Sequence, residues 1–281
     1  MNVARSWLIR FLKALGILIT AIVVLFGIVA LITQPSNDRE WNDDQTILPR
    51  VEINGDTVSI FNIRSFEYAS TTSYTARYYD KTFDLKKLQR VWYIVEPFEG
   101  IPGSAHTFLS FEFEGEHFVA ISVEIRKEKG ESYHPFKGLF NRYELMYVIA
   151  DENDVIKLRS NHRKDLVYVY PIKTTTEKAQ LLFLDMVQRA NDVSANPEFY
   201  NTLTNTCTTN IVQHIQKISP RIMPFFDVRI LLPANSDKLA YDLGLIDTDL
   251  TFEQARLKFN INERAMLYAD DPEFSKRIRG W

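Results

Sequence analysis

Among 281 residues there is one cysteine, Cys207. An internal disulfide is therefore excluded whatever the redox compartment, and the fold has to hold by its buried core. A lone cysteine belongs to no ligand pair. The five histidines, His106, His117, His134, His162 and His214, do not stand at ligand spacing from one another, so no metal and no cofactor is expected. There is no glycine-rich phosphate loop, and the run around Ser104 lacks the strand-to-helix setting of a serine nucleophile elbow. Repeats and low-complexity tracts are absent as well. No block of basic residues is long enough to suggest a nucleic-acid partner: beyond residue 13 the chain holds 30 basic against 36 acidic residues.

What is present is ordinary globular composition, 46% apolar and 25% charged, with one exception. From Ala14 to Ser36 no residue is charged, and this run supplies about the 20 apolar residues that a bilayer crossing needs. Arg5, Arg10 and Lys13 precede it, whereas Asp38, Arg39, Glu40, Asp43 and Asp44 follow. The positive-inside rule then expects residues 1–36 to be a cytoplasmic N-terminus with a transmembrane anchor, and the rest to lie outside. A cleaved signal peptide is the competing reading, but the apolar run is long for one and no convincing A-x-A site follows. Residues 37–50 are polar and read as a short stalk. Residues 51–281 then form the exterior domain.

Within that domain strands come first and helices after, which predicts a single α+β domain. Alternating or β-rich runs occupy Asp56–Tyr68, Arg90–Phe98, Tyr143–Ala150 and Asp165–Ile172. The clearest signal is a hairpin around Glu114-Gly115-Glu116. A three-residue loop pairs Phe113 with His117 and sets His106 opposite Glu124, whereas a two-residue loop sets His106 opposite Val123. Helices are expected from the threonines before Glu177 to about Val193, from Thr206 to Lys217, and over Thr251–Asn260, with a charged surface segment at the end.

Cys207 falls in the first turn of the 206–217 helix. Free N–H groups and the positive end of the helix dipole there favour negative charge on a sulfur, and Asn205 or Thr206 is placed to cap. A solitary cysteine is more often a small buried hydrophobe, and position alone favours that inert reading. A thiol nucleophile needs a base. His214 lies about two turns further along the same helix, roughly 10 Å away, which is too far for direct proton transfer. His106 opens an apolar strand after the loop "GIPGSA", and Glu124 or Ser122 is placed to orient its ring. Asn205, Thr208, Ser122 and Arg126 are candidates for binding substrate or an oxyanion. Arginines such as Arg126 and Arg159 are more often surface charges than substrate clamps.

Three separated stretches, "AHTFLSFEF", "SVEIRKEKGESYHPFKGLFNRYELMYVIADENDVIKLRSN" and "YNTLTNTCTTNI", occur in an order and spacing that resemble the Lnb N-terminal periplasmic domain family, over roughly residues 50–245. The resemblance implies a papain-like (NlpC-type) cysteine fold, permuted so that the histidine strand precedes the cysteine helix. It sets the family's histidine on His106, its cysteine on Cys207 and its S-x-E-x-R segment on Ser122, Glu124 and Arg126. It implies a single-pass protein of the bacterial inner membrane with a periplasmic domain. The activity implied is thiol-dependent acyl transfer or hydrolysis, with a phospholipid and a lipoprotein or peptide as substrates. The sequence departs from family members of known role in having a single N-terminal anchor and no downstream multi-span segment. Either a separate membrane protein is the partner that supplies it, or this chain acts on a different amide or ester. A cell-wall peptide amidase and a non-catalytic envelope-binding module are the competing expectations.

Overall fold

The computed structural model describes residues 2–280 apart from 116, 220–222 and 226 and separates into two units, Met1–Ser36 and Asn37–Trp281. The first is helix α1 (Asn2–Ile32), whose stretch Ser6–Leu25 is long and apolar enough to cross a bilayer. Trp7, Phe11, Ile17 and Ile22 stand exposed along it, which suits contact with lipid rather than with a protein core.

The second unit is α+β. Its strands are β1 (Arg50–Asn54), β2 (Thr57–Arg64), β3 (Glu67–Tyr68), β4 (Tyr74–Thr75), β5 (Tyr78–Asp84), β6 (Leu88–Pro97), β7 (Ala105–Phe113), β8 (His117–Arg126), β9 (Glu144–Ala150) and β10 (Tyr168–Pro171). Its helices are α2 (Pro135–Leu139), α3 (Glu152–Lys157), α4 (Thr176–Ala195), α5 (Cys207–Ile218), α6 (Val228–Leu231), α7 (Ser236–Asp242), α8 (Phe252–Phe259), α9 (Asn262–Leu267) and α10 (Phe274–Arg277). Eight strands form one sheet in the order β1-β2-β9-β8-β7-β6-β10, with β5 also on β2, while β3 and β4 make a separate ribbon. The central pairings are antiparallel, and β2 meets β9 in parallel at Arg64 and Ala150.

The central strands are buried on both faces, which is why they read as nearly continuous apolar runs. Tyr93, Leu109, Ile121 and Tyr147 pack into a core with α4 and α5. Their neighbours Ile94, Phe108, Ala120 and Met146 pack into a second core with α3, α9 and α10. Each of the large apolar side chains, such as Leu109, Ile121, Ile94 and Phe108, contributes about 1.5–3 kcal/mol when taken out of water. The β7–β8 hairpin has the register of the three-residue loop, Phe113 opposite His117 and Phe108 opposite Ser122. Glu116, the third loop residue expected, lies outside the described residues.

Two expectations are corrected. Residues 37–50 do not stand off as a stalk. Trp41 is buried, and the strap from Asn37 to Thr46 lies against the end of β8, where Arg126 donates to Gln45 O, Thr46 O and Asn37 Oδ1, each at 2.9 Å. The Arg126 guanidinium also sits 4.2 Å above the Trp41 ring. Polar residues that suggested a spacer instead satisfy buried backbone groups: the Gln45 amide donates to Ile125 O and accepts from Lys127 N. The C-terminal segment is likewise no surface tail. Phe274 and Ile278 are fully buried in the second core, and Arg279 makes a two-pronged pair with Glu152 at 2.6 and 2.8 Å.

Candidate active site

His106 is the second residue of β7, 9% exposed, and its ring stacks on Phe108 with centroids 5.6 Å apart. Its Nε2 lies 2.7 Å from Ser122 Oγ, and Ser122 Oγ lies 2.9 Å from Glu124 Oε1. Both partners are on β8, on the same face as His106, as the hairpin register requires. Glu124 Oε1 also accepts from Arg159 Nη2 at 3.1 Å. Burial alone pushes the Glu124 carboxyl up, but Arg159 first, then His106 and Arg64, outweigh it and hold the group well below the usual carboxylate range.

The proton positions follow from that charge. An ionised Glu124 accepts only, so Ser122 must donate to it, and the Ser122 oxygen is left to accept from His106 Nε2–H. The ring is thereby held as the Nε2–H tautomer, with the lone pair on Nδ1. Among the described residues Nδ1 has no hydrogen-bond partner. Burial, followed by the nearby Arg159, depresses the imidazole to about 3 against the pull of Glu124, so His106 is neutral at pH 7.

Arg159 comes from a π-helical turn, Leu158–Arg163, that directly follows α3. Asp154 on α3 fixes this turn by taking both Nε and Nη2 of Arg64 at 2.8 Å and the Phe66 N–H at 2.9 Å. The guanidinium of Arg159 spans two carboxylates, with Nε 2.6 Å from Glu96 Oε2 and Nη2 on Glu124. Arg163, from the same turn, approaches the other Glu96 oxygen at 3.5 Å. Glu96 is fully buried opposite His106 in the β6–β7 register. Burial pushes its carboxyl up to about 7 in spite of the two arginines.

Cys207 is the first residue of α5, 6% exposed. The cap is Thr206, in a reciprocal box with Thr209: the Thr206 side chain accepts from Thr209 N, and the Thr209 hydroxyl accepts from Thr206 N. Asn205 instead braces the preceding loop, donating to Phe199 O at 2.9 Å and accepting from Asn210 Nδ2 at 2.8 Å. The N–H groups of Cys207 and Thr208 stay outside the cap, as orphan donors of a first turn do.

His106, Glu124, Glu96, Arg159 and Cys207 line one cleft of about 260 Å³ at the loop end of β7. Among the described residues no hydrogen bond joins the thiol to His106; the Cys207 sulfur lies 3.7 Å from Thr208 Oγ1. Tyr133 and Tyr200 line the cleft too. Burial first and the neighbouring Cys207 second raise the Tyr200 hydroxyl well above its ordinary value, which keeps it a hydrogen-bond donor. Thr208 lies elsewhere: its hydroxyl pairs with Thr107 at 2.9 Å and borders a second, largely aliphatic cavity of about 460 Å³ between α4, α5, α7 and β6. Arg126 does not line the cleft either, being committed to the strap.

The sequence model of the Lnb N-terminal periplasmic domain family matches residues 74–234. The chain belongs to that family. Comparison with curated proteins and with solved structures gives no match. The Lnb-type stretch contains His106, Ser122, Glu124, Arg159 and Cys207, whereas the strap, with Gln45 in the cleft wall, and the C-terminal helices lie outside it.

Sequence reasoning therefore weighed Arg159 only as a surface charge and missed Arg163, Glu96, Tyr133 and Tyr200. Glu96 did carry a signal, being a carboxylate inside the β-rich run "RVWYIVEPF". A buried charge there demands a partner. His214 is structural: its Nε2 lies 2.8 Å from Tyr147 OH and its Nδ1 2.6 Å from Asp185 Oδ2.

Proposed function

We propose that this chain is a membrane-anchored, periplasmic thiol acyltransferase or hydrolase, with Cys207 as nucleophile and His106 as base. The observation that carries the reading is the Glu124–Ser122–His106 chain, which leaves the Nδ1 lone pair free in the cleft that Cys207 also lines. Because His106 is neutral in the resting site, the proton moves as the sulfur attacks and not beforehand. The two groups close on each other as substrate enters, since catalytic hydrogen bonds are commonly long in a free enzyme.

In the first half-reaction Nδ1 takes the thiol proton and the sulfur adds to an acyl carbonyl. The oxyanion is met by N–H groups of the first turn of α5 and by the Tyr200 hydroxyl. The intermediate collapses to a thioester, and the leaving alcohol or amine departs with the proton from His106. In the second half-reaction an amine or water attacks the thioester while His106 takes its proton. The acyl product leaves, and the proton returns to the sulfur.

A permuted papain-like fold is part of this reading, supported by a histidine strand that precedes a cysteine helix packed on the same sheet. The lipid form, N-acylation of a lipoprotein from a phospholipid with a further membrane protein as partner, is supported by the aliphatic cavity that begins one residue from Cys207. The test is mass spectrometry of the full chain in nanodiscs after exposure to phospholipid with a lipopeptide amine, and separately to muropeptides. An acyl adduct on Cys207 that is absent from Cys207→Ala and His106→Ala supports the reading. Undiminished turnover by either variant would end it, and muropeptide cleavage without any lipid adduct would move it to an amidase.

A further inference from the structure

We propose that the rim of the thiol cleft is a bilayer-contacting surface, seated on the membrane that α1 is long enough to cross. Two pairs of loops build this rim. On one side Thr202 donates through its backbone N–H to Gly138 O and through its hydroxyl to Pro135 O, which ties the loop before α5 to α2. Those two elements present Phe136 and Leu203, 61% and 52% exposed, with Phe140 packed beside Phe136 at 4.9 Å between centroids. On the other side the Leu232 side chain packs on Gly103, and Ala234 N donates to Gly103 O, which ties the loop after β6 to the segment after α6. There Ile101, Val228 and Leu232 are exposed. Phe98 and Tyr133, 6.4 Å apart between centroids, join the two sides across the cleft.

Large apolar side chains gathered round a site mark a contact surface, and the tether identifies what is contacted. Helix α1 ends at Ile32 and the second unit starts at Asn37, five residue steps or at most about 18 Å of extended chain. Asn37 is held by Arg126, the last residue of β8, and two residues back along that strand Glu124 lines the cleft. The chain therefore leaves the second unit on the side of the cleft that Gln45, Ile125 and Lys127 wall. The tether is covalent and short, so the second unit stays near any bilayer that α1 crosses, whereas a second copy or a diffusing protein has to find it. Seated in this way, Phe136, Phe140 and Leu203 lie at headgroup depth, as the apolar side of an interfacial segment does.

The inference rests on the thiol cleft as the working site for its meaning, but its test uses no catalysis. Leu203→Cys, Phe136→Cys and, as control, Leu257→Cys on α8 are made in full-length Cys207→Ser protein, labelled with bimane, and placed in phosphatidylcholine nanodiscs carrying nitroxide-labelled phosphatidylcholine. All three positions are exposed, so the substitutions leave the cores intact. Quenching several-fold greater at residues 203 and 136 than at 257 is expected. Equal quenching at all three overturns the proposal. So does rim emission that ignores the nitroxide but shifts with protein concentration, which identifies a second copy as the occupant. Loss of catalysis in Cys207→Ala leaves this result untouched, and a failed rim leaves the thiol chemistry untouched.

Discussion

Replacing Ser122 by alanine removes one oxygen and tests the whole proton argument. Ser122 is fully buried and is the hydrogen-bonded link between His106 Nε2 and Glu124. Without it Nε2–H faces the Glu124 carboxylate across 3.6 Å, beyond a hydrogen bond, and nothing favours the tautomer that exposes the Nδ1 lone pair. A buried donor left unsatisfied costs about 1–3 kcal/mol. At about 1.36 kcal/mol per decade of rate, that is a loss of roughly 5- to 150-fold in acylation of Cys207. The assay is the burst of p-nitrophenolate from a short-chain p-nitrophenyl ester, with the acyl group located on Cys207 by mass spectrometry. Nitrogen-15 shifts of His106 report the tautomer directly, Nε2–H in the native chain and a mixture in Ser122→Ala. An unchanged burst rate in the variant, or an Nδ1–H ring in the native protein, refutes the reasoning.

Two further outcomes follow from the buried charges. Between about pH 4.5 and 6.5 folded His106, held to about 3, refuses a proton that an unfolded histidine binds, so its term lowers stability as pH falls, by about 1.4 kcal/mol per unit. Folded Glu96, raised to about 7, binds a proton that an unfolded glutamate has released, so its term has the opposite sign. Denaturant unfolding should therefore show nearly level stability from this pair in the native chain, a decline with falling pH in Glu96→Gln and a rise in His106→Asn. Arg126→Ala should free the strap by removing three hydrogen bonds and the Trp41 contact, making residues 37–47 the first site of limited proteolysis while β7 and β8 stay resistant.

The parts of this site that were legible in the sequence are those fixed by local rules. Strands repeat every two residues, so counting off the hairpin left two registers, and the three-residue one, which the fold adopts, aligns His106 with Ser122 and Glu124. Cys207 at a helix start could be read from the threonines around it. Arg159 could not. It sits between Leu158 and Ser160 with no periodic mark of burial, and only a π-helical turn, pinned through Asp154 to a strand some 90 residues earlier in the chain, aims it at two carboxylates. Arg126 was ambiguous for the same reason. Its three acceptors lie about 80–90 residues upstream, in a segment whose polar composition argued for solvent.

The strap also fixes where the working unit begins. Gln45 is part of the cleft wall, although it lies between the anchor and the first strand and outside the family match. A protease that severed the chain at residues 33–36 would release a body with its cleft wall whole. A cut only ten residues further on would strip Gln45 from the wall and Trp41 from beneath Arg126. Release from α1 and disassembly of the cleft wall are thus separated by about ten residues, and those residues serve the cleft more than the helix before them.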